Sequence, residues 1–162
     1  MKLYMKQKVF SLKQNFDIYD ENQVSIFKVE SKLISLGRQS TIYDSQTQKE
    51  LAFVKQKLMA LSTTVDVFIN DQQVTRIKQR LLTFFKPKFD IQNLGWTIEG
   101  DFWGYNYTIR DHEGDVVATI RKKILSWSDT YEFDINENEA DLILIMSVIL
   151  AIDIAKDAAE RN

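Results

Sequence analysis

Residues 140–157 read ADLILIMSVILAIDIAKD. From Leu142 to Ala155 only Ser147 and Asp153 are not apolar, so a helix here has no polar stripe to turn toward water and must be surrounded. What surrounds it decides the fold. The apolar run spans roughly 21 Å at 1.5 Å per residue, short of the about 30 Å of a bilayer core. Asp141 and Asp153 bracket it, and its flanks lack the Trp/Tyr belt and dense Lys/Arg of a spanning segment. A helix over about residues 137–160, buried in protein, is therefore predicted, with Asn136 and Glu139 as a capping box and acidic residues in its first turn.

The rest of the chain supplies the surroundings. Short β-rich runs alternate with turns every 8–12 residues, the pattern of an all-β domain. The clearest turns are at 18–22, 42–45, 69–72 and 109–115, each with an Asp able to accept a backbone N–H and the last with a Gly suited to positive φ. About twelve strands are predicted, at 3–10, 15–20, 23–30, 39–44, 50–58, 64–70, 73–80, 87–92, 94–100, 104–110, 115–124 and 130–135. Twelve strands tilted by about 40° close into a barrel of backbone radius roughly 12 Å, wide enough for a helix about 10–12 Å across. The predicted fold is thus an all-β barrel of roughly twelve strands enclosing a hydrophobic C-terminal α-helix, in a single domain over residues 1–162.

A degenerate repeat follows the same beat. Met5-Lys6-Gln7-Lys8-Val9-Phe10 resembles the segments starting at Val54, Ile77 and Ile120, with a weaker copy at Val29. The starts lie 24, 25, 23 and 43 residues apart, one hairpin per step and two for the last. Charge is uneven along the chain: residues 1–90 carry 15 Lys/Arg against 9 Asp/Glu, a net +6, and residues 91–162 carry 6 against 14, a net −8. Such asymmetry either marks an anionic partner or neutralises itself in the fold.

Several chemistries are excluded or disfavoured. Without cysteine there is no disulfide scaffold and no thiolate metal site, which suits a reducing cytosol. The N-terminus MKLYMKQKVF has no apolar core of a signal peptide. The one histidine, His112, falls in the turn Asp111-His112-Glu113-Gly114-Asp115, a poor place to hold an imidazole beside a nucleophile. The acids of that turn lack the spacing of an EF-hand, and no P-loop, dinucleotide fingerprint or zinc spacing occurs. No catalytic residue, metal or cofactor is assigned.

The stretch WTIEGDFWGYNYTIRDHEGDVVATIRKK (96–123), followed by WSDTY (127–131), resembles the LURP-one-related family. The order of twelve strands and then an apolar helix extends the resemblance over essentially the whole chain. That family is similar to the tubby C-terminal domain and the phospholipid scramblases, so the resemblance implies a barrel threaded by its C-terminal helix. It also implies peripheral contact with membrane lipids, since tubby-type domains bind phosphoinositide headgroups through basic wall residues. The long N-terminal effector region of tubby proteins and the Cys-rich palmitoylation segment of scramblases have no counterpart here, which speaks against lipid transport.

The residues themselves offer one candidate binding set: Lys55/Lys57, Lys78/Arg80 and Arg121/Lys123. Side chains two apart on a strand share a face, so neighbouring hairpins would stack these pairs into a ladder for phosphate oxygens. The other reading is a solvated face that keeps strand edges unpaired. Lys86 and Lys88, flanking Pro87, extend the patch. Phe84-Phe85, Trp96, Phe102, Trp103 and Trp127 read as core or barrel-end packing ahead of a ligand slot. The expected function is a non-enzymatic, cytoplasmic binding or regulatory module that contacts an anionic membrane surface peripherally. A protein-interaction or scaffold domain without lipid affinity is the alternative, and a nucleic-acid binder or an enzyme ranks below both.

Overall fold

A computed structural model describes residues 1–6, 15–34, 37–57, 61–81, 83, 86–124, 129–138 and 140–161. Twelve strands precede one helix: β1 Lys2–Lys6, β2 Phe16–Tyr19, β3 Ser25–Ile34, β4 Gly37–Asp44, β5 Glu50–Lys57, β6 Thr64–Ile69, β7 Gln72–Gln79, β8 Phe89–Gln92, β9 Thr97–Asp101, β10 Asn106–Arg110, β11 Val116–Ile124, β12 Asp129–Ile135 and α1 Leu142–Arg161. All pairings are antiparallel, in the order β8-β7-β6-β5-β4-β3-β2-β1-β12-β11-β10-β9. The predicted all-β barrel with its enclosed helix is what forms. Of the features read in the sequence, Phe84, Phe85, Trp127, Glu139 and the ends of the repeat copies starting at Met5, Val54, Ile77 and Ile120 lie outside the described residues.

The barrel is nearly closed. The chain-adjacent strands β8 and β9 end the sheet side by side without pairing to each other. Side chains seal this seam from within: the Phe102 ring lies 5.5 Å from Phe89, 5.5 Å from Tyr107 and 5.3 Å from Trp103, and Trp96, before β9, is buried as well. Pairing between two runs that both look like strands is not written in their local patterns, and β8 and β9 leave a seam in the barrel.

Inward positions alternate along each strand, as the pleat requires. On β5–β7 they are small or β-branched (Ala52, Val54, Val65, Val67, Thr75, Ile77), whereas the opposite wall brings Met5, Phe27, Tyr107, Tyr131 and Phe133. The helix accordingly lies closest to β5, β6 and β7, and the bulky wall fills the remaining width. Between helix and bulky wall remains an apolar pocket of about 30 Å³, lined among others by Met5, Phe133, Met146 and Asp153. By that measure it has room for no more than a water molecule or two.

The helix is buried on all faces from Ile145 to Lys156. Ser147 donates its hydroxyl to the Ile143 carbonyl one turn back, at 2.6 Å. Its start lies later than the predicted capping box. Asn136 extends the β11–β12 ladder, its N–H bonding Val117 O and its side-chain amide bonding Val116 O, and its Oδ1 accepts the Asn138 N–H at 3.3 Å. Asp141 caps the helix by accepting the Ile143 N–H at 2.8 Å. Asp153, which in sequence closes the apolar run, is 5% exposed and lies inside the barrel.

Candidate functional site

An up-and-down barrel sorts its connections to two ends, and here the sorting separates charge. Odd-numbered strands finish at one end, even-numbered strands at the other. The even end carries the Asp turns. Asp20 accepts the N–H groups of Asn22 and Val24, Asp44 those of Gln46 and Thr47, and Asp111 those of Glu113 and Asp115. Bonds from the Thr47 backbone and hydroxyl hold the Asp44 carboxyl below its ordinary range. Asn70 and Asp71 take positive φ in the two-residue turn between β6 and β7. The N-terminus and the start of α1 lie at the same end, where Glu137 and Asp141 add further acids.

The repeat copies do the opposite. They start on β1, β3, β5, β7 and β11, all odd-numbered, so a period of one hairpin delivers every basic strand end to the other end of the barrel. This basic rim includes Lys6, Lys32, Lys57, Lys78, Arg121 and Lys123, all exposed.

The six candidate residues do not form one ladder. Lys55, Lys57, Lys78 and Arg80 share the β5–β7 side. Register places Lys57 beside Thr64, Thr64 beside Lys78 and Lys78 beside Asp90, so Lys57 and Lys78 are two strands, about 10 Å, apart on the outer face. Lys55 sits one rung along, beside Asp66. Asp66 is taken by Arg76, in two bonds of 2.6 and 3.1 Å, and Asp90 by Arg80 at 2.6 Å. Lys55, Lys57 and Lys78 form no ion pair among the described residues. Arg121 and Lys123 lie on another wall, where both engage the buried Glu132, Arg121 at 3.6 Å and Lys123 at 2.5 Å. The Lys123 hydrogen bond is the chief reason the Glu132 carboxyl lies below its ordinary range.

Beneath the rim, the C-terminal half of α1 carries a polar cluster. Arg38 donates to Asp157 at 3.0 Å, Tyr105 donates to Asp153 at 3.2 Å, and Lys156 donates to the Trp103 carbonyl at 2.7 Å with its ammonium 3.1 Å from the Tyr105 ring centre. Burial pushes the Asp153 carboxyl up to about 8 and the Lys156 ammonium down to about 8. Burial likewise raises the phenols of Tyr105 and Tyr107. The sequence marks this cluster only by Asp153, Lys156 and Asp157 interrupting an apolar helix; Arg38 and Tyr105 arrive from distant strands.

Two further features bear on function. At the seam, a groove of about 800 Å³ opens between β8 and β9, with Arg80, Lys86 and Lys88 beside Phe102 and Trp103. At the acidic end, His112 is exposed on its turn. The carboxylates of Asp111, Glu113 and Asp115 lie within 4.8 Å of one another. Asp111 already closes that turn with its own oxygen.

The fold is similar to that of the X-ray structure of the Arabidopsis thaliana protein AT5G01750. The match has a TM-score of 0.62 at 15% identity, over 94% of this chain and 90% of that one. The LURP-one-related family model matches residues 1–153, and the chain belongs to that family. It is 37% identical over 153 residues to the uncharacterized protein YxjI of Bacillus subtilis, covering 94% of this chain and 92% of that one. Among the described residues, no helix is long and apolar enough to cross a membrane.

Proposed function

We propose that the chain is a non-enzymatic binding module that recognises anionic phospholipid headgroups through the basic end of its barrel, as a peripheral partner of a cytoplasmic membrane face. The observation that carries this reading is the segregation of charge along the barrel axis, with repeated basic strand ends at one end and Asp turns at the other. Such a dipole turns one end toward an anionic surface and the other away from it. Lys55, Lys57 and Lys78, without ion-pair partners among the described residues, are the primary contacts. Arg80, Arg121 and Lys123 carry charge already shared with Asp90 and Glu132 and contribute less. Two features speak for binding over catalysis: the lone His112 lies at the far, acidic end, and the buried Asp153 faces a pocket with room for only a water or two.

The test is sedimentation with neutral and anionic vesicles at low and high salt. Binding is expected to anionic vesicles and to weaken as salt shortens the Debye length. A Lys near such a surface contributes about 1 kcal/mol, so Lys57→Ala with Lys78→Ala is expected to cost about 2 kcal/mol, roughly thirtyfold in affinity. Equal binding by the double variant would remove these residues from the site. A second reading, a docking domain for a protein strand, is favoured by the seam, where β8 and β9 each present an edge that pairs with no other strand.

A further inference from the structure

Large apolar side chains exposed among the described residues are Met1, Val24, Leu33, Ile34, Leu61 and Leu81. Singly such residues are ordinary. Their distribution is not: Leu33 and Ile34 end β3, Leu61 lies between β5 and β6, and Leu81 follows β7, so these four all stand at the basic end. Leu61 is 97% exposed and Leu81 60%. The three connections alternate along adjacent strands, two strand spacings or about 10 Å from one to the next. Each has a cation close behind it in sequence or register: Lys32, Lys57, and Lys78 with Arg80.

We infer that the module docks end-on, with Leu33, Ile34, Leu61 and Leu81 entering the interfacial layer of an anionic bilayer, the lysines behind them at headgroup level and the helix C-terminus toward the membrane. The inference rests on the headgroup reading above and adds the orientation and the apolar anchor. Charge complementarity identifies the occupant: apolar tips backed by cations match a surface whose interior is apolar and whose skin is anionic. The acidic opposite end allows only one orientation. Electrostatic attraction weakens with salt and apolar insertion does not, so binding has a salt-resistant remainder supplied by the leucines. Transfer of an exposed leucine out of water shifts affinity by about tenfold or more.

Because the chain contains no cysteine, single-cysteine variants report position without background. Leu61→Cys and Glu113→Cys, at opposite ends, are labelled with an environment-sensitive fluorophore and titrated with phosphatidylcholine vesicles with and without phosphatidylserine. With anionic vesicles the dye at position 61 is expected to shift to the blue and to be quenched by lipids brominated in their acyl chains, while the dye at 113 stays unchanged. Leu61→Ser with Leu81→Ser is expected to keep low-salt binding and to lose the high-salt remainder by tenfold or more. Co-sedimentation with anionic vesicles and no shift at 61, or a shift at 113 instead, would overturn end-on insertion and leave the headgroup reading standing. A blue shift that grows with protein concentration without vesicles would assign the apolar tips to a second copy of the chain and also overturn it. No co-sedimentation with anionic vesicles would remove the headgroup reading itself and the inference with it.

Discussion

Replacing Asp153 with Asn tests the least expected feature of the core, a carboxyl enclosed by the barrel. Its Oδ1 accepts from Tyr105, and its Oδ2 has no hydrogen-bond partner among the described residues. Burial is the main cause of its raised pKa. Asp157 adds to it, and the charges of Arg38 and Lys156 and the Tyr105 bond offset part of it. Tyr107 from β10 faces the same carboxyl. At neutral pH the folded protein therefore holds a proton that the unfolded chain releases above about 4.

The sign follows from linkage. With the folded pKa at about 8 and the ordinary value at 3.8, the folded state binds the extra proton between those two values. This group's contribution is complete at the acid end of the window and falls by roughly 1.4 kcal/mol per pH unit as pH rises. Between pH 5 and 8 the loss is about 3–4 kcal/mol, a large part of the 5–15 kcal/mol typical of a domain. Lys156 acts elsewhere: its pKa, lowered from 10.5 to about 8, makes its burial costly below pH 8 and relieves that cost between the two values. Urea unfolding of the wild type and Asp153→Asn from pH 5 to 8 isolates the carboxyl. The variant, which keeps the volume and an acceptor for Tyr105, is expected to gain about 3–4 kcal/mol on the wild type between pH 5 and pH 8. A stability difference that does not change with pH would mean Asp153 is ionised in the native barrel, held by Arg38 and Lys156, and would refute the reasoning.

Glu132→Gln removes the buried anion that Arg121 and Lys123 share; because those cations are half-exposed and can reach water, the expected cost is about 1–3 kcal/mol. The depressed carboxyl pKa means that this stabilisation is present above about pH 4.5 and is lost as pH falls, so thermal melts of the two proteins should converge in acid. Gly100→Ala places a Cβ 2.8 Å from the Asn106 carbonyl at a φ of +103°, straining the β9–β10 pairing beside the seam. A loss of about 1–3 kcal/mol in chemical denaturation is expected, with more rapid amide exchange in β9 than in β5.

The parts of this fold that were legible in sequence are those encoded locally. A run apolar on every face and too short for a bilayer reads as a core helix because neither condition needs knowledge of a partner. The Asp turns were legible for the same reason: Asp20, Asp44 and Asp111 bond to N–H groups two to four residues away. What escaped was decided by contacts far apart in the chain. Asp153 looked like the edge of the apolar run because Tyr105, 48 positions away, and the strands that enclose it are invisible from its neighbourhood. The seam escaped because Phe89–Gln92 and Thr97–Asp101 both carry strand character, and only the whole barrel determines that they do not pair.

The basic pairs fall between these cases. Their residues and spacing were visible, but proximity on a wall was the wrong geometry for three pairs that β5, β7 and β11 carry around the barrel. The hairpin period answers better. In an up-and-down barrel a feature repeated once per hairpin always reaches the same end, whichever walls its copies occupy, so a repeat too degenerate to define a motif still polarises the molecule. Lys32, Lys57 and Lys78 lie on successive odd strands and the leucines on or just after them, and their shared end follows from strand parity alone. A hairpin deletion preserves that parity, whereas loss of a single strand would send every later lysine to the opposite end.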